Sequence, residues 1–183
     1  RMALLLPGTE ELSVNQVNKN DDRYYISTRD GLYISIFPQT GPMEVRFRCL
    51  EGKNVLSTYV DMENRRILIG TLDAGLYSRS LEMEDLQKLP LPITKPIRSI
   101  VSYTPDKIAV GVDLEGVFVI DKANLTIDKQ YAYNETSSTS IFTNNVRGLF
   151  VDNQFNLWVA TYHGGISFQD SYKLNFDYFQ HRT

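Results

Sequence analysis

The sequence lacks the features that mark several classes of protein. It has one cysteine, Cys49, so no intrachain disulfide can form, and its longest apolar run, 2–7, is far shorter than the roughly 20 residues that span a bilayer. Its 19 basic and 22 acidic residues give a formal net charge of −3, without the basic excess typical of nucleic-acid binding. We therefore expect no nucleic-acid partner and no direct membrane contact.

Glycine and proline are also scarce, whereas aromatic residues are plentiful. The 11 Gly and 7 Pro are too few for a collagen-like or linker chain, and 11 Tyr with 9 Phe exclude a disordered one. A body of 183 residues buries roughly 70% of its unfolded surface, enough to fold without disulfides or metal. We expect no cofactor and no structural metal.

One short pattern recurs four times along the chain. A β-branched residue precedes a small residue, and then come a second β-branched residue, a short loop and a glycine. The small residues are Ser27, Gly70, Gly111 and Ala160, and the glycines are Gly31, Gly75, Gly116 and Gly165. Successive glycines are 44, 41 and 49 residues apart. Each glycine is predicted to open a strand, because a tight connection there needs positive φ.

Each copy lies between an alternating apolar run, which ends in a polar turn, and a more polar run. Four antiparallel strands in about 43 residues, repeated, are typical of β-propeller blades. The small residues are expected where blades crowd near the axis. A β-sandwich, the other all-β candidate, lacks a recurring four-strand unit. The sequence therefore predicts an all-β fold, a β-propeller segment of about four four-stranded antiparallel blades.

The repeat spacing also predicts the blade boundaries. The blades are expected at 12–54, 55–96, 97–145 and 146–183, and 1–11 is expected to be an N-terminal strand or the remnant of a preceding blade. An arc of four blades has two open flanks. We expect the apolar faces there to be covered by the remaining propeller blades or by a second protomer.

The fourth copy resembles the two-component regulator propeller repeat. Residues 145–152 form an apolar run ending in Asp, and 156–166 read Asn-Leu-Trp-Val-Ala-Thr, a variable pair, then Gly-Gly-Ile. The family pattern is Asn-Leu-Trp-Ile-Gly-Thr, a variable pair and Gly-Gly-Leu. Weaker copies at 24–32, 66–76 and 107–117 extend the resemblance across most of the chain. Only one copy keeps the tryptophan, Trp158, and the third has Val112 in place of the family threonine.

This resemblance implies a partial propeller from the sensor ectodomain of a Bacteroides-type hybrid two-component system. The full-length parent would be a membrane-anchored histidine kinase, and this part would be periplasmic. The implied function is sensory: loops are presented to an oligosaccharide ligand, and the segment itself is not an enzyme. A protein-interaction scaffold is the first alternative, and an enzyme similar to streptogramin lyase, which uses histidine with a metal, is the second.

The candidate binding residues are aromatic or lie in the loops of the repeats. Tyr162 and His163 lie in the best-formed repeat, and Tyr103 and Tyr59 are predicted at strand ends. Trp158 is predicted to be core, Cys49 a small packed hydrophobe, and 134–145 a mobile loop that could host function.

The matching loops of the other copies contain acidic residues. Together with His163 they could bind Mg²⁺ or Ca²⁺, although carboxylates also suit solvated turns, and we expect no metal site. The acidic residues are Asp30, Asp73, Asp113 and Glu115.

Overall fold

The structure, a computed structural model, describes residues 12–36, 44–73, 75–137, 140–173 and 176–179. Every regular element within these ranges is a β-strand. The same ranges contain no helix of the length and apolarity needed to cross a membrane. The segment 1–11, predicted as an N-terminal strand or blade remnant, lies outside the described residues.

The described residues form sixteen strands in four antiparallel sheets, which we call blades 1 to 4. Blade 1 consists of β1 (Val14–Asn20), β2 (Arg23–Thr28), β3 (Gly31–Ile36) and β4 (Glu44–Cys49). Blade 2 consists of β5 (Val55–Asp61), β6 (Arg66–Thr71), β7 (Leu76–Ser80) and β8 (Leu86–Lys88). Blade 3 consists of β9 (Ile97–Thr104), β10 (Lys107–Val112), β11 (Gly116–Asp121) and β12 (Ile127–Tyr131). Blade 4 consists of β13 (Val146–Val151), β14 (Leu157–Thr161), β15 (Gly165–Gln169) and β16 (Phe176–Phe179).

Within each blade the strands hydrogen-bond in chain order. This is the meander of a propeller blade, and it confirms the predicted fold class. Burial falls from the middle of a blade to its outer edge: β6 and β10 are almost entirely buried, whereas β8 is exposed throughout. Outer strands therefore tolerate the polar sequences that distinguish the fourth run of each repeat.

A threonine and a glycine build the turn between the second and third strands. In three blades the threonine hydroxyl donates to the glycine carbonyl oxygen, at 2.8, 2.8 and 3.0 Å (Thr28–Gly31, Thr71–Gly75 and Thr161–Gly165). All four turn glycines have positive φ. At Gly31 a Cβ would also lie 2.7 Å from the Cys49 carbonyl oxygen, so no other residue fits there. In blade 3, Val112 replaces the threonine and has no hydroxyl to donate.

The small residues of the second strands lie where the next blade packs. A Cβ on Gly70 would come within 2.5 Å of Ile97 Cγ2, and one on Gly111 within 2.8 Å of Val146 Cγ1. Ile97 and Val146 begin the first strands of blades 3 and 4. A larger side chain would push these blades apart. Ser27, at the same place in blade 1, is fully buried.

Ala160 has the same register in blade 4 but a different depth. It pairs with Gly148 and Ile166, as Gly111 pairs with Ser99 and Val117. Ala160 is nevertheless exposed, because no blade within the described ranges covers its face.

Apolar clusters fill the three interfaces between successive blades. The cluster between blades 1 and 2 includes Tyr25, Leu32, Val55, Ile67 and Ile69. The cluster between blades 2 and 3 includes Leu68, Ile97, Ile100, Val110 and Val112. The cluster between blades 3 and 4 includes Ala109, Val119, Val146, Leu157 and Val159. Successive second strands thus contribute alternate residues to the interface on either side, as the period of two requires.

The first strand of blade 1 contacts blade 2 through hydrogen bonds of amide side chains rather than through apolar residues. Asn18 Nδ2 donates to the Thr58 carbonyl oxygen at 2.6 Å, and Gln16 Oε1 accepts from the Thr58 backbone N–H at 2.6 Å. In the first copy of the repeat the polar residues 18–22 follow the alternating run 12–17, and the sequence pattern predicts that they form the turn. The strand instead continues to Asn20, because these amides bond to the neighbouring blade, and the turn comprises 21–22.

The first strands of all four blades converge on a central cavity of about 430 Å³. Its lining combines amide, hydroxyl and aromatic groups, among them Gln16, Asn18, Tyr59, Ile100, Ser102 and Phe150. The small repeat residues were expected near the axis, but the first strands line this cavity, and Gly70 and Gly111 on the second strands instead lie against the next blade.

Candidate functional site

Each blade has two ends that differ in the loops they carry. The upper end holds the turns between second and third strands, including 29–30, 113–115 and 162–164, and the connections between blades. The lower end holds the turns between first and second strands, at 21–22, 62–65, 105–106 and 152–156. Tyr162, His163 and the acidic candidates lie at the upper end, so the antiparallel meander brings them to one side of the molecule.

Tyr162 and His163 form an exposed aromatic pair at the upper end of blade 4. Tyr162 is 51% exposed, and the two rings meet edge to face with centroids 4.0 Å apart. His163 has φ 62°, a left-handed backbone unusual for a residue other than glycine. The Tyr162 backbone N–H donates to the Asn145 carbonyl oxygen at 2.9 Å, which ties the turn to the preceding connection.

An ion-pair cluster supports this aromatic pair. The Arg147 guanidinium carbon lies 4.8 Å from the centre of the Tyr162 ring, a cation–π distance. Arg147 Nη1 also donates to Asp113 Oδ2 at 3.1 Å, and the same oxygen accepts from Arg98 Nη2 at 2.9 Å. Asp113 is buried, so two arginines share one carboxylate there. The cluster links blade 3 to blade 4 and leaves guanidinium and imidazole groups beside an exposed phenol.

The long connection between blades 3 and 4 packs against the same turn. Ile141 is fully buried, and the Phe142 backbone N–H donates to Ser167 Oγ at 3.1 Å. A Cβ on Gly164 would come within 2.7 Å of the Phe142 ring. The stretch 140–145 contains no strand, as expected of the loop predicted over 134–145, and the buried Ile141 anchors it. Residues 138 and 139 lie outside the described residues.

Asp30, Asp113 and Glu115 are engaged by other protein groups, whereas Asp73 is exposed. Asp30 pairs with Arg48 and accepts from the Gly52 backbone N–H at 2.8 Å, and Glu115 accepts from the Thr94 hydroxyl at 2.8 Å. Across the described ranges, no group of three or more His, Cys, Asp or Glu residues is arranged to hold a metal ion. His163 therefore belongs to no such group within those ranges.

Tyr103 and Tyr59 lie away from the upper end. Tyr103 is buried between blades 3 and 4, where its hydroxyl donates to Gln169 Oε1 at 3.1 Å and burial raises the pKa of the phenol. It is not on an accessible surface, because the fourth blade covers it. Tyr59 is half-buried within β5 and lines the central cavity. The structure therefore groups Tyr162 with His163 and separates both from Tyr103 and Tyr59.

Trp158 is half-buried rather than fully in the core. Its ring contacts Phe168 and Phe179 at centroid distances of 4.4 and 6.0 Å, on the face of blade 4 that no other described blade covers. Its Nε1–H donates to Asp152 Oδ2 at 3.0 Å, and this hydrogen bond, with those from Asn156, lowers the pKa of Asp152 to about 2. The pattern of an Asp before the turn and a Trp after it predicted two strands but not this bond.

Comparisons with known proteins identify the fold through structure only. No family model matches the chain, and no curated protein matches its sequence. Among solved structures, the extracellular domain of BT4673 from B. thetaiotaomicron, described in one determination as a hybrid two-component system and in another as a one-component system, superimposes with TM-scores of 0.69 and 0.70. The match covers 85% of this chain at 20% identity. The extracellular domain of the hybrid two-component system BT3049 from the same organism gives 0.70 over 92% of the chain at 17% identity.

Two designed proteins share the fold as well. The chain superimposes on Ika4 with a TM-score of 0.66 at 11% identity, over 93% of this chain and 98% of that one. For Ika8 the TM-score is 0.66 at 10% identity, and the chain covers 49% of its length. Four blades thus correspond to nearly all of one designed protein and to half of another.

The two bacterial domains are of the kind that the repeat at 145–166 resembles, so the predicted resemblance is confirmed at the level of fold. This chain spans 21% to 25% of the length of those domains.

Proposed function

We propose that the chain is part of the periplasmic sensor region of a hybrid two-component receptor. The observation that carries this proposal is the superposition on two extracellular domains of B. thetaiotaomicron two-component systems, each about four times as long as this chain. Sensing requires a rigid scaffold that presents variable loops, and the four interlocked blades supply one. In this function the segment binds and transmits; the chemistry of phosphoryl transfer belongs to other parts of the parent protein.

The proposed ligand is an oligosaccharide, and the proposed site is the aromatic pair Tyr162 and His163. A sugar ring presents C–H groups to an aromatic face and hydroxyls to polar groups around it. The exposed Tyr162 phenol offers such a face, and His163 with Arg147 offers hydrogen-bond donors within the same cluster. Because Asp113 ties blade 3 to blade 4 through Arg98 and Arg147, a ligand that moves Arg147 would also change the contact between blades. Signalling follows only if the ligand binds two such arrangements with different affinity.

Calorimetric titration with oligosaccharides of several glycan classes tests the site. We expect one class to bind and Tyr162→Ala to weaken that binding at least tenfold, about 1.4 kcal/mol, because the stacking surface is lost. Tyr172→Ala is the matched control: Tyr172 is 94% exposed but lies at the lower end of blade 4. Absence of binding across all classes, or equal weakening by both variants, would count against the site.

A turnover assay with the same glycans separates sensing from catalysis. The two bacterial structures are described as extracellular domains of one-component or hybrid two-component systems, and the imidazole of His163 meets the Tyr162 ring edge to face. We expect the glycans to be recovered unchanged. Loss of substrate that His163→Ala abolishes would instead support an enzyme similar to streptogramin lyase.

The open face of blade 4 supports a second function, that of an assembly surface. It exposes Phe150, Ile166 and Phe179 at 63%, 41% and 55%, beside Ala160. We propose that a further blade of the parent protein covers this face, because Ala160 holds the register position at which Gly70 and Gly111 receive the next blade. Ile166→Asp should then leave the isolated chain folded and disrupt the parent receptor. A stable symmetric dimer of the chain, abolished by the same variant, would identify a second copy as the occupant.

A further inference from the structure

A groove with three arginines lies between blades 1 and 2, away from the aromatic pair. Its volume is about 360 Å³, within the range of small-molecule sites. Arg23 begins β2 and Leu81 follows β7, so the groove opens at the lower end of the blades, opposite to Tyr162. Its lining includes Arg23, Arg46, Arg79, Tyr25, Phe47 and Leu81. We call it the arginine groove.

Arg79 is the buried charge of the arginine groove. It is 7% exposed, and its guanidinium carbon lies 3.8 Å from the centre of the Phe47 ring. Nη1 donates to the Ser80 carbonyl oxygen at 3.1 Å, whereas the buried Nε–H has no partner in the described part of the chain. No carboxylate among the described residues forms an ion pair with Arg79.

A buried cation without a counter-ion is costly, and a ring face offsets only part of that cost. The other buried charged groups near the blade ends show the contrast. Asp61 pairs with Arg66 at 3.2 Å, and the Lys122 ammonium donates to three oxygens at 2.9 to 3.2 Å. Arg79 has no comparable set, although it borders an open groove. An anion entering the groove would supply the missing charge.

The other lining groups indicate the chemical class of the anion. Arg23 and Arg46 add two more guanidinium groups, and no acidic side chain is among the described lining residues. The carboxylates of Asp21, Asp22 and Glu82 line an adjoining cavity, where Glu82 pairs with Arg65. The remaining walls are apolar or aromatic, formed in part by Tyr25 and Phe47.

We propose that the arginine groove binds a small organic anion, a carboxylate, phosphate or sulfate group on an apolar or aromatic body. The oxyanion would lie among the three guanidinium groups, whose forked N–H donors match such oxygens. The body would pack on the apolar walls between the two blades. Because β2, β4 and β7 all contribute, the bound anion would hold blade 1 to blade 2. This site is independent of the oligosaccharide site.

Thermal unfolding and calorimetry with phenyl phosphate test the proposal at constant ionic strength, since salt screens exposed charges. We expect phenyl phosphate and benzoate to raise the unfolding temperature, inorganic phosphate to act more weakly, and neutral benzyl alcohol to have no effect. An equal effect of inorganic phosphate and phenyl phosphate, or binding of benzyl alcohol, would overturn it. A change in Trp158 fluorescence on binding would place the ligand on blade 4 and overturn it as well.

Amino-acid substitutions distinguish binding in the arginine groove from a general effect of positive charge on the protein surface. Arg46→Gln removes an exposed lining guanidinium and should weaken phenyl phosphate binding about tenfold without loss of the fold. Arg79→Met tests the buried group, and circular dichroism establishes whether that variant folds. Arg29→Gln is the matched control, because Arg29 is exposed at the upper end of blade 1. Equal binding by Arg46→Gln and Arg29→Gln would refute the site even if Arg79→Met does not fold.

Discussion

The face of blade 3 that meets blade 4 and the outward face of blade 4 are built on the same register but differ in exposure. In blade 3, Gly111, Val117 and Val119 are buried against the next sheet. In blade 4 the corresponding Ala160 and Ile166 are exposed. The repeat therefore specifies which residues point toward a neighbour, whereas the presence of that neighbour decides whether they become core. Exposed apolar residues on a blade face indicate a surface on which another element can pack.

The two faces should respond very differently when side chains are shortened. Leu157 is fully buried between blades 3 and 4, so Leu157→Ala should lower the free energy of unfolding by about 3 kcal/mol through lost burial and a cavity. Ile166→Ala, on the outward face, should cost less than about 1 kcal/mol. Urea unfolding of the two variants measures the difference. Similar losses would mean that the outward face is covered in solution.

Enlarging the small residue should distinguish the same two faces. Gly111→Val would press against Val146 and Leu149 and cost about 2 kcal/mol, because the sheets must separate. Ala160→Val should change stability by no more than about 0.5 kcal/mol in this chain. If both substitutions destabilise equally, Ala160 already contacts a neighbour.

The smallest predicted change in stability concerns Asp152, whose carboxylate accepts a hydrogen bond from Trp158 on the outward face. The hydrogen bond from Trp158 Nε1–H, followed by those from Asn156, lowers the pKa of Asp152 from 3.8 to about 2. A depressed carboxyl pKa contributes stability that is present above about pH 4 and is lost as the pH falls through 2. We expect the unfolding midpoint, followed by the fluorescence of Trp158, to fall over that window.

Asp152→Asn provides the control for this pH dependence. Its side chain does not ionise, so the variant should lose less stability between pH 4 and pH 2 than the native chain does. Trp158 is the single tryptophan, so its emission reports the local environment directly. The same pH dependence in both proteins would show that other carboxyls dominate.

Several features were predictable because they depend on neighbours along the chain. The alternation of strands, the positive φ of Gly31 and the small side chains at Gly70 and Gly111 follow from local geometry and from a repeat of constant content. The threonine hydroxyl bond to the turn, absent at Val112, is equally local. A periodic pattern reveals such features because the same steric constraint acts at the same position of every copy.

The features that the sequence did not reveal depend on residues from different blades. Tyr103 was predicted as a candidate binding residue at a strand end but is buried, because blade 4 packs over it. Asp113 joins Arg98 to Arg147 across two blades, and Arg79 is enclosed against Phe47 of the neighbouring blade. Nothing in the spacing of these residues indicates that they meet.

The repeated pattern of residues was sufficient to establish an all-β propeller segment, its four-strand unit and the direction in which each side chain points. Strand alternation and tight turns are set over a few residues, so they can be inferred without coordinates. The packing of separate blades decided which of those side chains became core, which charges found partners and which aromatic rings stayed accessible. Those outcomes depend on contacts between residues far apart in the chain, because burial, charge pairing and shape all depend on how the blades pack.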